Sequence, residues 1–136
     1  MTKTDILLVD HDVHYLRLFK ALAEREGIRV RTASSEEEAW EYLAGHGCRL
    51  MLVALDLLGG NGSTLAILAK VRRPELAIAV LTMDGAPAGV PLIAARAGIS
   101  TAFAKPYDGH LIRGLLCGDL KGAAAETQGA SAASTC

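Results

Sequence analysis

The sequence has no hydrophobic run long enough to cross a membrane, although 51% of its 136 residues are hydrophobic. A membrane-spanning helix needs about 20 consecutive apolar residues, and the apolar runs here are only a few residues long. The formal net charge is −1, so no excess of basic residues favours nucleic acid or an anionic membrane surface as a partner. These absences favour a globular domain with neither kind of partner.

Cysteine is scarce, and its spacing matches no known framework. Cys48, Cys117 and Cys136 are odd in number, widely spaced and lack the Cys-x-x-Cys pattern of zinc and redox sites. This pattern predicts reduced thiols in a cytoplasmic protein rather than a disulfide framework. We also expect no secretory signal in residues 1–5, since they lead directly into an apolar run with an acidic end.

Short apolar runs that each end in a functional group are the main feature that is present. Apolar runs of this kind, bounded by polar residues and glycines, are typical of strands covered on both faces in a parallel sheet. Open sheets of this type carry their chemistry at the carboxyl ends of the strands. The groups that end the four runs are Asp10, Asp56, Thr82 and Lys105.

Helical patterns separate these strands. Asp12 and Ser35 are placed to cap helices, the latter with Glu38 in the capping-box spacing, and Gly27 and Gly98 are placed to end them. Residues 91–97 are predicted to form a short fourth helix, and the last helix begins near residue 108. The residues predicted to face the core are Tyr15, Leu18, Phe19 and Leu22 in the first helix, Ala39, Trp40 and Leu43 in the second, Leu65, Leu68 and Ala69 in the third, and Ile112, Leu115 and Leu116 in the last.

Residues 28–31 alternate and predict a fifth, short edge strand. The alternation of strands and helices predicts an α/β fold, a three-layer (βα)5 sandwich around a flavodoxin-like, doubly wound parallel sheet of strand order 2-1-3-4-5. Residues 1–121 form one domain in this interpretation. Residues 122–136 are mostly small and polar, with nothing to bury, so a disordered C-terminal tail is predicted there.

In that strand order the first and third strands are neighbours, so Asp10 and Asp56 face each other, with Thr82 and Lys105 beside them. Two adjacent carboxylates repel, and a divalent cation or an ammonium group relieves the repulsion. Carboxylate oxygens suit Mg²⁺. The set could therefore receive a phosphoryl group, with a carboxylate as nucleophile and the cation, hydroxyl and ammonium neutralising the phosphoryl oxygens.

These residues resemble the receiver domain of two-component response regulators over roughly residues 4–120. The motifs that carry the resemblance are Ile-Leu-Leu-Val-Asp10, Leu-Val-Ala-Leu-Asp56, Val-Leu-Thr82, Ala97-Gly98 and Ala-Lys105-Pro106. The resemblance implies that Asp56 is the phosphoacceptor, that Thr82 and Lys105 contact the phosphoryl group, and that Mg²⁺ is held by Asp10, Asp56 and the Leu58 carbonyl. It also implies a signalling module rather than an enzyme, with a histidine kinase or a histidine phosphotransfer protein as phosphoryl donor.

The sequence departs from the receiver pattern at this same site. His11 stands where receivers carry a second acid, with Asp12 one residue further on, and imidazole is a poor Mg²⁺ ligand. Either Asp12 or His11 remains a candidate metal ligand. The loop after Asp56 reaches its Asn-Gly pair two residues sooner than usual and lacks a proline. Met83 replaces the usual small residue, and Phe103 lies one residue after the usual place of the switching aromatic.

Two functions remain open on this reading. One is a stand-alone receiver that is phosphorylated on Asp56 and signals by binding a downstream partner. The alternative is a degenerate receiver that acts as a phosphorylation-independent protein-interaction module with weak or no Mg²⁺ binding. The face formed by the fourth helix, the fifth strand and the last helix carries few charges, so we expect it to form a homodimer or a partner contact.

A flavodoxin-like cofactor protein is a third possibility, because it would share the fold. The acidic segment 9–12 would repel a cofactor phosphate where such proteins need a phosphate loop. The glycine-rich segment 59–62 lacks the lysine of a P-loop and is more typical of a turn. We therefore expect no flavin or nucleotide.

Overall fold

The computed structural model describes residues 4–57, 62–82, 95–99, 101–105 and 107–117. The strands are β1 (Thr4–Val9), β2 (Val30–Ala33), β3 (Cys48–Ala54), β4 (Ala77–Thr82) and β5 (Thr101–Ala104). The helices are α1 (Val13–Glu24), α2 (Glu36–Gly45), α3 (Gly62–Arg72) and a C-terminal helix (Gly109–Leu116). In these ranges there is no helix with the length and apolar character of a membrane span.

The five strands form one parallel sheet in the order β2-β1-β3-β4-β5, which confirms the predicted topology. In the register, Val9 lies beside Val53, and Thr82 lies beside Ala104. Since all strands run the same way, the residues that follow their carboxyl ends meet at one edge of the sheet. This edge is where the predicted site residues lie.

Side chains that alternate along the strands build two cores, one on each face of the sheet. The first core packs against α1 and the C-terminal helix, and the second packs against α2 and α3. The alternation is visible in β1 and β3: Ile6, Leu8, Leu50 and Leu52 belong to the first core, and Leu7, Val9, Met51 and Val53 to the second. Sheet and helices therefore form the expected three layers.

The buried stripe of two helices differs from the predicted one. Leu18 of α1 is 48% exposed and Leu68 of α3 is 39% exposed, so their assignment to the core is wrong. Leu16 and Ala23 are buried in α1 instead, and Ala66 is buried in α3. In both helices the contacting face is rotated, and smaller residues fill part of it.

The predicted helix ends are confirmed by the backbone geometry. Asp12 and Ser35 accept hydrogen bonds from backbone amides of the first turns of α1 and α2. Gly27 and Gly98 have φ values of 82° and 98°, the left-handed region that favours glycine. Of the predicted fourth helix only residues 95–97 belong to the described ranges, and the predicted tail at 122–136 lies outside them.

The cysteines do not share one state. Cys48, the first residue of β3, is a free thiol, as predicted, and its partial burial raises its pKa to about 11. Cys117 is disulfide-bonded, so the prediction of reduced thiols is wrong for that residue.

Candidate functional site

Asp10 is the buried centre of the site. It directly follows β1, its exposed fraction is 0%, and its backbone N–H donates to the Ala33 carbonyl at 3.1 Å. Its Oδ1 accepts the backbone N–H of Asp12 at 3.1 Å, and its Oδ2 lies 2.7 Å from Nζ of Lys105. The buried carboxylate is therefore paired with a lysine that follows the edge strand β5, three strands away from β1 in the sheet.

Lys105 is held in place by both its backbone and its side chain. Its backbone N–H donates to the Thr82 carbonyl at 3.1 Å, which continues the β4–β5 pairing by one residue. Its Nζ lies 4.6 Å from the centre of the Tyr15 ring, a cation–π distance. Burial, followed by the charge of Asp10, raises the pKa of the Tyr15 hydroxyl. Tyr15 was expected only as a core residue, since helical periodicity does not show which cation a ring faces.

Asp56 lies two residues beyond β3 and is exposed to solvent. One ligand atom each from Asp10, His11 and Asp56 lie within 4.8 Å of one another. The backbone N–H of Leu55 donates to the Leu81 carbonyl at 3.1 Å, which fixes the departure of the chain from β3. The structure therefore brings Asp10 and Asp56 together, as the strand order predicts.

His11 and Asp12, the two alternative metal ligands, occupy different environments. Oδ1 of Asp12 accepts the backbone N–H groups of His14 at 3.0 Å and Tyr15 at 3.2 Å. The hydrogen bond from Tyr15 is the main cause that lowers the pKa of Asp12. Nδ1 of His11 lies 3.6 Å from Oδ1 of Asp10 and is buried with no hydrogen-bond partner among the described residues. Asp12 thus caps α1, while His11 belongs to the group that could hold a metal.

Thr82 is the last residue of β4 and is buried. In the sheet order it lies between the strand that leads to Asp56 and the strand that leads to Lys105. Thr82, Lys105, Asp10 and Asp56 therefore share one edge of the sheet. The predictions that concern the Leu58 carbonyl and Met83 lie outside the described residues, and Phe103 is described only through its backbone in β5.

Gly62, which the sequence predicted only as part of a turn, packs against the backbone at the end of β3. A Cβ added to Gly62 would lie 1.8 Å from the carbonyl oxygen of Ala54. The first residue of α3 therefore packs directly against the backbone at the end of β3. The signal that could have identified it is the shortened loop itself, because fewer residues between Asp56 and α3 force a close approach.

The comparison with protein families matches residues 6–116 to the response regulator receiver domain. The chain belongs to this family. A curated relative, the photosynthetic apparatus regulatory protein RegA of Cereibacter sphaeroides, is 31% identical over 105 residues, which are 77% of this chain. The same alignment covers 56% of RegA, so this receiver spans about half the length of that relative.

Solved structures of response regulators share the fold of this receiver. A CheY-like receiver domain protein from Methanospirillum hungatei superimposes with a TM-score of 0.68 at 24% identity, covering 90% of this chain and 95% of that one. A response regulator from Burkholderia pseudomallei, solved with a phosphorylated aspartic acid, calcium ion and citrate, has a TM-score of 0.72 at 23% identity, covering 90% and 74% of the two chains. At these identities the likeness establishes the fold.

Proposed function

We propose that this receiver accepts a phosphoryl group on Asp56 from a histidine kinase or a histidine phosphotransfer protein and then signals by binding a downstream protein. The observation that carries the proposal is the placement of an exposed carboxylate, Asp56, within 4.8 Å of a buried carboxylate that already holds the Lys105 ammonium. Exposure makes Asp56 accessible to a donor protein. In the proposal the Lys105 ammonium, now paired with Asp10, supplies the positive charge for the phosphoryl oxygens.

In the proposed reaction an Asp56 carboxylate oxygen attacks the phosphorus of a phosphohistidine on the donor. The new P–O bond forms as the P–N bond breaks, and the donor imidazole leaves with the electron pair and takes up a proton. The Lys105 ammonium can turn from Asp10 to an oxygen of the phosphoryl group, because Asp10 and Asp56 lie at the same carboxyl edge of the sheet. Thr82 donates its hydroxyl to another of these oxygens.

The donor set fits a divalent cation, with Asp10 and Asp56 as carboxylate ligands and His11 as a third candidate. When bound, such a cation would neutralise charge on the phosphoryl oxygens. The Burkholderia relative supports this part of the proposal, because it was solved with both a phosphorylated aspartic acid and a calcium ion. Ligation by the Leu58 carbonyl remains a prediction.

The proposed role is regulatory rather than enzymatic, since the chemistry ends in modification of the receiver itself. We place the receiver in the cytoplasm with the kinase.

The predicted homodimer face includes the C-terminal helix. Arg113 on this helix pairs with Glu26 of α1 at 2.9 Å. This pairing reduces the free charge on that face and favours a largely apolar contact. Size-exclusion chromatography with and without beryllofluoride tests dimer formation.

Incubation with acetyl phosphate and a divalent cation tests the phosphoryl proposal. We expect intact-mass spectrometry to detect the gain of one phosphoryl group in the native chain and none in Asp56→Asn. Asp108→Asn is the matched control, because it removes an equally exposed carboxylate while keeping a side chain that can cap the C-terminal helix. If neither acetyl phosphate nor a phosphohistidine donor modifies Asp56, the proposal is wrong and the phosphorylation-independent interaction module takes its place.

A further inference from the structure

We propose that His11 makes this site selective for divalent transition-metal cations of the Co²⁺, Ni²⁺ and Zn²⁺ class over Mg²⁺. The inference rests on the proposed function to the extent that it concerns the same site. It adds the identity of the cation, which the receiver family alone does not provide for a chain with a histidine at this position.

The first observation is the position of the imidazole. Nδ1 of His11 is buried, lies 3.6 Å from Oδ1 of Asp10 and makes no hydrogen bond within the described ranges. Asp10, His11 and Asp56 thus bring one imidazole nitrogen and two carboxylate oxygens within 4.8 Å of one another. Because Asp10 is completely buried, this donor set includes an anchored carboxylate rather than surface acids alone.

The second observation is the charge balance around that point. Mg²⁺ is a hard cation that binds through charged oxygens and dehydrates reluctantly. Here two carboxylates are present, and Nζ of Lys105 lies 2.7 Å from Oδ2 of one of them. Among the described residues that oxygen accepts no hydrogen bond of good geometry, but the short distance still places the ammonium charge beside it. The remaining negative charge is a weak attraction for Mg²⁺.

A neutral imidazole nitrogen strengthens the binding of transition-metal cations, but it does not replace a charged oxygen for Mg²⁺. Neutral nitrogen ligands suit Zn²⁺, Cu²⁺, Fe²⁺ and Ni²⁺. The affinity of divalent first-row metals for a given site follows the order Mn²⁺ < Fe²⁺ < Co²⁺ < Ni²⁺ < Cu²⁺ > Zn²⁺. Replacing an acid by histidine therefore weakens the site for a hard ion and retains it for softer ones.

Other nearby donors do not explain the same selectivity. The Asp12 carboxylate accepts two backbone N–H groups of α1 and lies outside the group of three. His14 is an exposed residue in the first turn of α1. The ring of His46 stacks on Tyr42 at 4.5 Å, away from this edge of the sheet. Among these, His11 is the residue on which the selectivity depends.

Equilibrium dialysis of the full chain against Co²⁺ and Mg²⁺ tests the inference directly. We expect His11→Ala to weaken Co²⁺ binding by about tenfold or more, the scale of effect seen when metal-site residues are changed, and to weaken Mg²⁺ binding by less than about threefold. The visible absorption bands of bound Co²⁺ should also shift. His14→Ala is the matched control and should change neither affinity. Asp12→Ser keeps a capping hydroxyl and should likewise leave both unchanged.

His11→Asp supplies the reverse change. A third carboxylate should strengthen Mg²⁺ binding and narrow the ratio of Co²⁺ to Mg²⁺ affinity by about tenfold. His11→Asn, which resembles the ring in size, replaces His11→Ala if circular dichroism shows that the alanine variant does not fold. The inference is overturned if His11→Ala or His11→Asn leaves the Co²⁺ affinity within twofold of native. It is also overturned if these variants weaken Co²⁺ and Mg²⁺ binding equally.

The failure of this inference can be told apart from failure of the proposed function. Phosphorylation of Asp56 that proceeds with Mg²⁺, together with Co²⁺ affinity that does not depend on His11, overturns the selectivity and retains the receiver function. Co²⁺ binding that depends on His11, without phosphorylation by any donor under either cation, supports the selectivity and contradicts the function.

Discussion

At the residue scale, the contact between Lys105 and Asp10 has the largest energetic consequence. Asp10 is fully buried, and a buried carboxylate without a partner is strongly destabilising. The sequence predicted that both residues lie at one edge, because each follows an apolar strand. It did not predict that the ammonium binds this carboxylate rather than Asp56, because the strand pattern determines strand order and not side-chain rotamers.

Lys105→Met should therefore lower the free energy of unfolding by about 2–4 kcal/mol, since the lysine side chain is only 16% exposed and its loss leaves Asp10 uncompensated. Urea denaturation measures the change. Lys20→Met is the control: it breaks the exposed pair with Glu24 and the hydrogen bond to the Val30 carbonyl, and should cost about 1 kcal/mol. Added divalent cation should stabilise the Lys105 variant more than the native chain. Equal loss in both variants would contradict this account of the buried pair.

Cys48 should be inert in the native protein. Its pKa of about 11, raised by burial, leaves about a hundredfold less thiolate near neutral pH than its ordinary value of 9.0. Alkylation at pH 8, mapped by mass spectrometry, should be slow in the native chain and fast in urea. Because the folded pKa is raised, stability from the buried thiol should be lost only as the pH rises above about 9. Rapid native alkylation at Cys48 would contradict the raised pKa of its thiol.

At the scale of single elements, helix ends were predicted better than helix faces. Asp12, Ser35 and Gly27 act locally, through hydrogen bonds within one turn or through a positive φ, so the sequence identifies them without tertiary information. The direction that a helix faces depends on its contact with the sheet. Leu18 and Leu68 fit the apolar spacing of their helices, yet lie on the exposed side, because smaller neighbours fill the contact.

Gly62→Ala tests how tightly α3 starts against β3. A Cβ there would lie 1.8 Å from the Ala54 carbonyl oxygen, so the backbone must shift, and we expect a loss of about 2 kcal/mol or more in unfolding free energy. Gly114→Ala, in a helix with open space around its Cβ position, should stabilise by about 0.5–1 kcal/mol. If Gly62→Ala also raises the free energy of unfolding, then α3 does not begin in close contact with the end of β3.

At the scale of the whole molecule, the topology was predictable and the site only partly so. Unbroken apolar strands separated by helices lead to one parallel sheet with two cores, and the structure has both. The cap formed by Asp12 was predicted, but the place of His11 beside Asp10 and Asp56 was not, because the sequence does not show which way the side chains of this short loop point. The choice between His11 and Asp12 depends on how the start of α1 sits over β1.

The two cores share one sheet and should unfold together. Ile112→Ala removes a buried side chain from the first core, and we expect a loss of about 2–4 kcal/mol. Trp40, the only tryptophan, packs against the second core and reports on it by fluorescence. In urea, the Trp40 transition should therefore shift together with the far-UV circular dichroism. A fluorescence midpoint that stays at the native value would show that the faces unfold independently.

Because Asp10 pairs with Lys105 of the same chain, the receiver supplies the counter-ion of its own buried carboxylate. Any cation from solution competes with a group whose local concentration does not fall on dilution. Half-occupancy of the site should consequently require a higher free metal concentration than in a site without such a competitor. On the proposed function, phosphorylation of Asp56 that uses a bound cation should then require more of that cation in the native chain than in Lys105→Met.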